Sequence, residues 1–548
     1  MKWNFLLLSI LIAFHSFAQT LTQTNTVTRP KLVVGIVIDQ MRWDYLYRYN
    51  DIFSAIGGFK RLLNNGFSCE NTMIPYTPTV TAAGHTCIYT GSVPSIHGIA
   101  GNDWYNKYTN EEVYCTDDNT VHIIGQGNAN AGKMSPRNLL TTTITDELRL
   151  ATNFKSKVIG IAIKDRGAIL PAGHAANAAY WYDYNSGNFI TSSYYKMTEL
   201  PQWVQSFNNR KIVDSFYRLN WNLFLPASVY EKYASADDEP YERQIYRAGT
   251  KTFPHKLDLF AGKDYGKILY TPWGNNLTLE MAKSAVINEQ LGKSSITDFL
   301  ALSLSSPDYI GHSFGPNSWE EVDNYARLDA ELGKFFTFLD AQVGKGNYTI
   351  FLTADHGVAH IPGYLQQHNI PAGTFNDTTA VSNINNIIKN KTGVDSVVFG
   401  IYNYQLCFNH QLIEKNNLDE NKLCQLSIAY LIKDSAVSQA FTLSNIMIQP
   451  MNNVQRQMFA NGYNQQRSGD VQFILNPGYI DGGSTGTTHG LWNPYDAHIP
   501  LLWYGWGIKH GKMNNETYMT DISATLAALL HIQMPSGCVG KVITEVMK

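Results

Sequence analysis

Short apolar runs without alternation recur along this chain, and most of them stop at or near a charged residue. Leu32 to Ile38 reads LVVGIVI and ends at Asp39. Such a run predicts a strand covered on both faces of a sheet, because a half-exposed strand would alternate. Val158 to Ile163 stops at Lys164, Phe299 to Leu304 stops short of Asp308, and Tyr348 to Thr353 stops before Asp355. Ile499 to Tyr504 is a late strand. Helical segments lie between them: Phe53 to Asn65, a Ser135-Pro136 start running to about Leu150, Ser318 to Leu339, and Asp521 to Leu530. Strands alternating with helices predict an α/β fold, a mostly parallel central sheet with helices on both faces. Ligands of such sheets bind beyond the carboxyl ends of the strands, which is where Asp39, Lys164, Asp308 and Asp355 fall.

Two stretches interrupt the pattern. Residues from about 174 to 276 are rich in Tyr, Trp and Asn and predict a cap inserted over the rim of the sheet. Residues from about 360 to 488 carry their own strand (Ser396 to Tyr402) and helix (Glu420 to Ile432), a smaller α+β subdomain. Residues 31–548 therefore read as one large domain with two insertions. Tyr76 to Gly91, YTPTVTAAGHTCIYTG, begins extended and turns helical after Thr81. A hydroxyl at that junction either caps the helix or, facing free amides, attacks an anion. The stretch alone favours the cap, and Thr77, Thr79 and Thr86 are rival hydroxyls.

With 44% hydrophobic and 16% charged residues, the 548-residue chain can bury a large core. Its net charge of -3 carries no basic excess that would point to nucleic acid. Residues 1–18 have the basic start, apolar run and small-x-small ending of a signal peptide cleaved after Ala18. A polar leader, expected to be disordered, follows over 19–30. The apolar run is too short to span a bilayer, so the expectation is a periplasmic or secreted protein without a transmembrane segment. Six cysteines lack the CxxC spacing of a zinc or thioredoxin motif, and Cys69–Cys115 and Cys407–Cys424 are candidate disulfides.

Asp39, Asp308, His312 four residues on, Asp355-His356 after a buried strand, and His489 in the loop GGSTGTTHGLW are six metal-binding side chains. Three Asp and three His suit two zinc ions, each bound by nitrogen and oxygen with positions left open. Singly, each has an ordinary reading as a turn former or loop residue.

In this order, with Thr81 in TAAGHTCIYTG, the set resembles the alkaline phosphatase superfamily from about Lys31 to the end. SVPSIHGIAGNDW, with His97 and Asn102, is similar to that superfamily's stretch after the nucleophile. KDRG at Lys164 to Gly167 most resembles the PafA-type alkaline phosphatases, whose nucleophile is Thr. The resemblance implies that Asp308, His312 and His489 hold one zinc, and that Asp39, Asp355, His356 and Thr81 hold a second. It implies that Asn102, Lys164 and Arg166 contact the phosphate oxygens, and that Thr81 is the catalytic nucleophile. The expected activity is hydrolysis of small-molecule phosphate monoesters, with broad specificity, through a phosphothreonine.

Nucleotide pyrophosphatase/phosphodiesterase relatives share the ligands and the Thr, and are the alternative. A sulfatase would need Cys-x-Pro-x-Arg where this chain has Thr81-Ala82-Ala83-Gly84-His85. A non-catalytic exported zinc-binding protein, with Thr81 only a cap, is the second alternative. His85, His97, His122 and His174 are read as structural.

Overall fold

The structure is a computed structural model that describes residues 28–246 and 251–548. The signal segment and the leader as far as residue 27 lie outside the described residues. At residues 28–30 the chain is docked: Arg29 donates to the carbonyls of Leu530 (2.6 Å) and His531 (3.2 Å).

A ten-stranded sheet forms the centre. Its strands, in chain order, are β1 (Leu32–Ile38), β2 (Phe67–Met73), β3 (Ile123–Ile124), β4 (Val158–Ala162) and β5 (Ala178–Asp183). They continue with β6 (Asn188–Ser192), β7 (Asp298–Leu304), β8 (Tyr348–Thr353), β9 (His498–Gly505) and β10 (Gly511–Tyr518). Across the sheet the order is β10-β2-β9-β8-β1-β7-β4-β5-β6-β3. The middle five, β8-β1-β7-β4-β5, are mutually parallel. β9 and β2 join antiparallel on one side and β6 on the other. Each of β1, β4, β5, β7 and β8 is buried along its whole length, which accounts for the missing alternation. Each large apolar side chain so buried contributes roughly 1.5–3 kcal/mol.

Five helices matter for the site: α1 (Thr81–Thr90), α2 (Asp165–Ala172), α3 (Ser306–Phe314), α4 (Trp319–Leu339) and α5 (Asp521–Leu530). α1 lies against β1, and an added Cβ at Gly35 would stand 2.4 Å from the Tyr89 hydroxyl. Ser318 caps α4 by accepting from the Glu321 N–H at 3.2 Å. The second insertion holds a four-stranded sheet of Val398–Tyr402, Gln405–Phe408, Val471–Leu475 and Val437–Thr442, with a core of its own.

Some local expectations shift. The helix expected from Ser135 starts only at Ile144, because Thr143 and Asp146 form a reciprocal capping box there. The helix expected from Phe53 begins at Gly58, after a turn closed by Gly57 N–H to Ser54 O at 2.9 Å. All six cysteines are free, so neither Cys69–Cys115 nor Cys407–Cys424 is bonded.

Candidate active site

The parallel strands deliver the charged residues to one rim. Asp39 follows β1, Lys164 lies just past β4, Asp308 sits in the first turn of α3 after β7, and Asp355 follows β8. α3 turns His312 onto the same face as Asp308, four residues away, with 3.1 Å between His312 Nε2 and Asp308 Oδ1. The loop carrying His489 is stitched to α3 from both sides. Thr487 N–H donates to the His312 carbonyl (3.0 Å), and His312 Nδ1 donates to the Thr487 carbonyl (2.7 Å).

Two trios result. In the first, ligand atoms of Asp308, His312 and His489 lie within 4.8 Å of one another; in the second, those of Asp39, Asp355 and His356 do the same. The trios adjoin, since the His356 and His489 rings stack with centroids 3.5 Å apart. Thr81 Oγ lies 3.4 Å from His356 Nε2 and 3.3 Å from Lys164 Nζ. Thr81 is the first residue of α1, and Val80 occupies the cap position without a side-chain bond. The Thr81 hydroxyl is therefore not a cap. The rival hydroxyls are bonded elsewhere: Thr77 to Gly490 O (3.2 Å), Thr79 to Leu491 O (2.9 Å) and Thr86 to Ala82 O (2.7 Å).

The donor set fits cations. Each of the three imidazoles has Nδ1 against a backbone carbonyl: His312 on Thr487, His489 on Thr79 (2.7 Å), His356 on Gly357 (3.0 Å). A carbonyl only accepts, so Nδ1 carries the proton and Nε2 turns a lone pair toward the trio. Asp39 Oδ1 is buried and makes no hydrogen bond. Burial and the neighbouring Asp355 carboxylate push the Asp39 carboxyl well above its ordinary range. Anionic oxygens buried with so few donors call for positive charge between them. Mixed imidazole and carboxylate donors suit zinc.

Lys164 supplies part of that charge. Its Nζ donates to Asp39 Oδ2 and Asp308 Oδ2, both at 2.6 Å. Burial pulls its pKa down, but the Asp308 and Asp39 carboxylates outweigh this and hold the ammonium protonated. Asn102 is tied to α1, its Oδ1 accepting from the Ala82 N–H at 2.9 Å. Arg166 stands beside Lys164 with Nη1 donating to the Tyr114 hydroxyl at 3.1 Å and a buried Nε without a partner. Next to these two, a cavity of about 360 Å³ is walled by Trp181, Tyr182, Tyr184 and Tyr309. Another cavity, about 640 Å³, is lined by Tyr504 and Gly505 at the opposite, amino-terminal rim and shares none of these residues.

Sequence reasoning missed three participants. His85, read as structural, places Nδ1 3.2 Å from Asp355 Oδ2 and Nε2 2.8 Å from Ser303 Oγ, buttressing a trio member. Its position one turn into α1, facing the rim with Thr81, was the available signal. Gly84 has no room for a side chain, since an added Cβ would lie 2.4 Å from the Asp355 carbonyl oxygen. Gln40 touches both trios, and nothing in its residue type announces that.

Residues 33–496 match the family model for type I phosphodiesterase / nucleotide pyrophosphatase. The chain belongs to that family. Within the type I phosphodiesterase / nucleotide pyrophosphatase family it stands with the PafA-type alkaline phosphatases. It is 48% identical to alkaline phosphatase PhoV of Synechococcus elongatus, with 100% of both chains covered. It is 49% identical to alkaline phosphatase PafA of Elizabethkingia meningoseptica, with 96% of each covered. A relative from Myroides odoratus, 48% identical and fully covered, bears the name calcium-transporting ATPase. Among the described residues of the present chain, no helix is long and apolar enough to cross a membrane. The crystal structure of PafA superposes with a TM-score of 0.93 at 48% identity, covering 96% of this chain and 100% of that one. A solved PafA variant is substituted at a Thr, an Asn, a Lys and an Arg whose sequence spacing equals that of Thr81, Asn102, Lys164 and Arg166.

Proposed function

We propose that this chain is an exported, zinc-dependent phosphomonoesterase of broad specificity that works through a phosphothreonine at Thr81. The observation that carries the reading is the Thr81 hydroxyl itself, uncapped at the head of α1, beside two cation-fitted trios and within 3.3 Å of Lys164 Nζ. Export rests on the signal-like residues 1–18.

Thr81 Oγ attacks phosphorus in line with the ester oxygen. The Oγ–P bond forms, the P–O bond to the alcohol breaks, the hydroxyl proton passes to solvent, and the departing oxygen takes a proton from solvent to leave as the alcohol. Asp308, His312 and His489 would hold one zinc, and Asp39, Asp355 and His356 a second. When bound, such ions acidify the Thr81 hydroxyl and the hydrolytic water and offset charge on the departing oxygen. The positive end of the α1 dipole lies at Thr81, and Asn102, Lys164 and Arg166 donate to the peripheral oxygens of the phosphoryl group. Water then adds to the phosphothreonine, the P–Oγ bond breaks, and phosphate departs with Thr81 restored. Positioning and charge carry most of such a reaction.

Lys164 and Arg166 favour monoesters, because a monoester brings more negative charge than a diester and a guanidinium can grip two of its oxygens. The family match keeps a diesterase as the second reading. The test compares kcat/KM for p-nitrophenyl phosphate and bis(p-nitrophenyl) phosphate on zinc-loaded protein, with chelator removal and zinc return as the control. The monoester should win. A preference for the diester would overturn the assignment, and bound zinc with no turnover on either would make the protein a zinc binder only.

A further inference from the structure

Gln40 follows Asp39 directly and is 1% exposed. Its backbone is left-handed, with φ +68°, a conformation that a non-glycine residue rarely adopts. That geometry sends two donors in different directions. The backbone N–H donates to Asp355 Oδ1 at 3.1 Å. The side-chain Nε2 donates to Asp308 Oδ1 at 2.6 Å. One residue thus bonds a carboxylate from each trio, next to the third carboxylate in sequence. Helix α3 makes space for it: a Cβ added at Gly311 would stand 1.9 Å from Gln40 Oε1. Gly311 lies between Asp308 and His312 on that helix, so the amide is seated among the ligands it touches.

We propose that Gln40 is a positioning residue that holds the two trios in register and thereby couples cation binding at one to cation binding at the other. A carboxylate that rotates freely offers its ligand oxygen in many directions. One pinned by a donor offers it in one, and loss of such partners typically weakens metal binding about 10–100-fold. Because the backbone donor and the amide donor belong to one residue, a shift in either carboxylate is felt by the other.

The inference rests on the zinc-dependent reading above, and its test reads binding, not turnover. Metal-free protein is titrated with Zn²⁺ in competition with a chromophoric chelator, for the wild type and for Gln40→Leu. Leucine keeps the Cβ and approximate bulk under the same backbone strain, so the comparison isolates the amide. Gly311→Ala pushes on the amide from the other side and leaves Gln40 in place. Thermal melting of each metal-free variant reports folding. The expected result is two-step binding in the wild type, with both steps weakened in Gln40→Leu, by about 10–100-fold at the Asp308 trio, and a smaller loss in Gly311→Ala. Should Gln40→Leu fail to fold, Gly311→Ala decides: unchanged affinities there sink the proposal. Two zinc ions bound with wild-type affinity by both variants would overturn it alone. A wild type that takes up no zinc would overturn the zinc-dependent reading instead.

Discussion

A single hydroxyl separates the catalytic reading from the binding-only one. Thr81 had three rivals within ten residues, and each of those is held by a carbonyl while Thr81 faces Lys164 and His356. Thr81→Ala is expected to keep zinc and fold while lowering monoester turnover roughly 10³-fold or more. Acid-quenched wild type should carry phosphate on this residue, and the variant should not. Unchanged turnover in Thr81→Ala would remove it from the mechanism. Lys164 and Arg166 act on the other partner. Lys164→Ala and Arg166→Ala are each expected to lower kcat/KM for a monoester by about 10²–10³-fold and for a diester far less. Equal losses on both substrates would assign the pair to packing. The residue types of the two trios were legible in the sequence because few side chains can bind a metal. Gln40 was not legible, since an amide after an Asp has no chemical signature until its partners are known.

At the scale of elements, the site depends on how closely α1 approaches the end of β8. Gly84 permits that approach, with the Asp355 backbone and Cβ occupying the place where a side chain would be. Gly84→Ala must push α1 away from Asp355 or shift the loop that bears it. The expected cost is about 1–3 kcal/mol in thermal or denaturant unfolding, with a parallel loss of monoester turnover. A variant as stable and active as the wild type would show that the contact is slack. Strands were the most readable elements, because burial on both faces writes an uninterrupted apolar run: β1 and β8 match the expected bounds residue for residue. Helix starts were less readable. Ser135-Pro136 has the right residue types for one, yet the helix waits for Thr143, whose capping box satisfies two backbone donors at once.

For the molecule as a whole, the second insertion is more than an appendage. Arg467 donates to the carbonyls of Gly98 (2.6 Å) and Asn138 (2.7 Å) and lies over the Trp104 ring. Asn403 donates to the Asp103 carbonyl at 3.0 Å. These contacts flank Asn102, which in turn holds the Ala82 amide beside Thr81. Arg467→Ala should therefore destabilise the protein by about 1–3 kcal/mol and raise KM for monoesters through a looser Asn102. A stability loss with unchanged KM would confine the insertion to a structural part. From residue order and type one could read the alternation of strands with helices, the rim on which the acidic groups fall, and six side chains able to bind a metal, because apolar runs and metal donors are local properties. Which donors form which trio by geometry, which hydroxyl faces Lys164 and His356 rather than a backbone carbonyl, and how Gln40 and Arg467 brace the site became apparent once the chain was folded. Those facts are contacts between residues tens to hundreds of positions apart, and such distances leave no periodic trace along a chain.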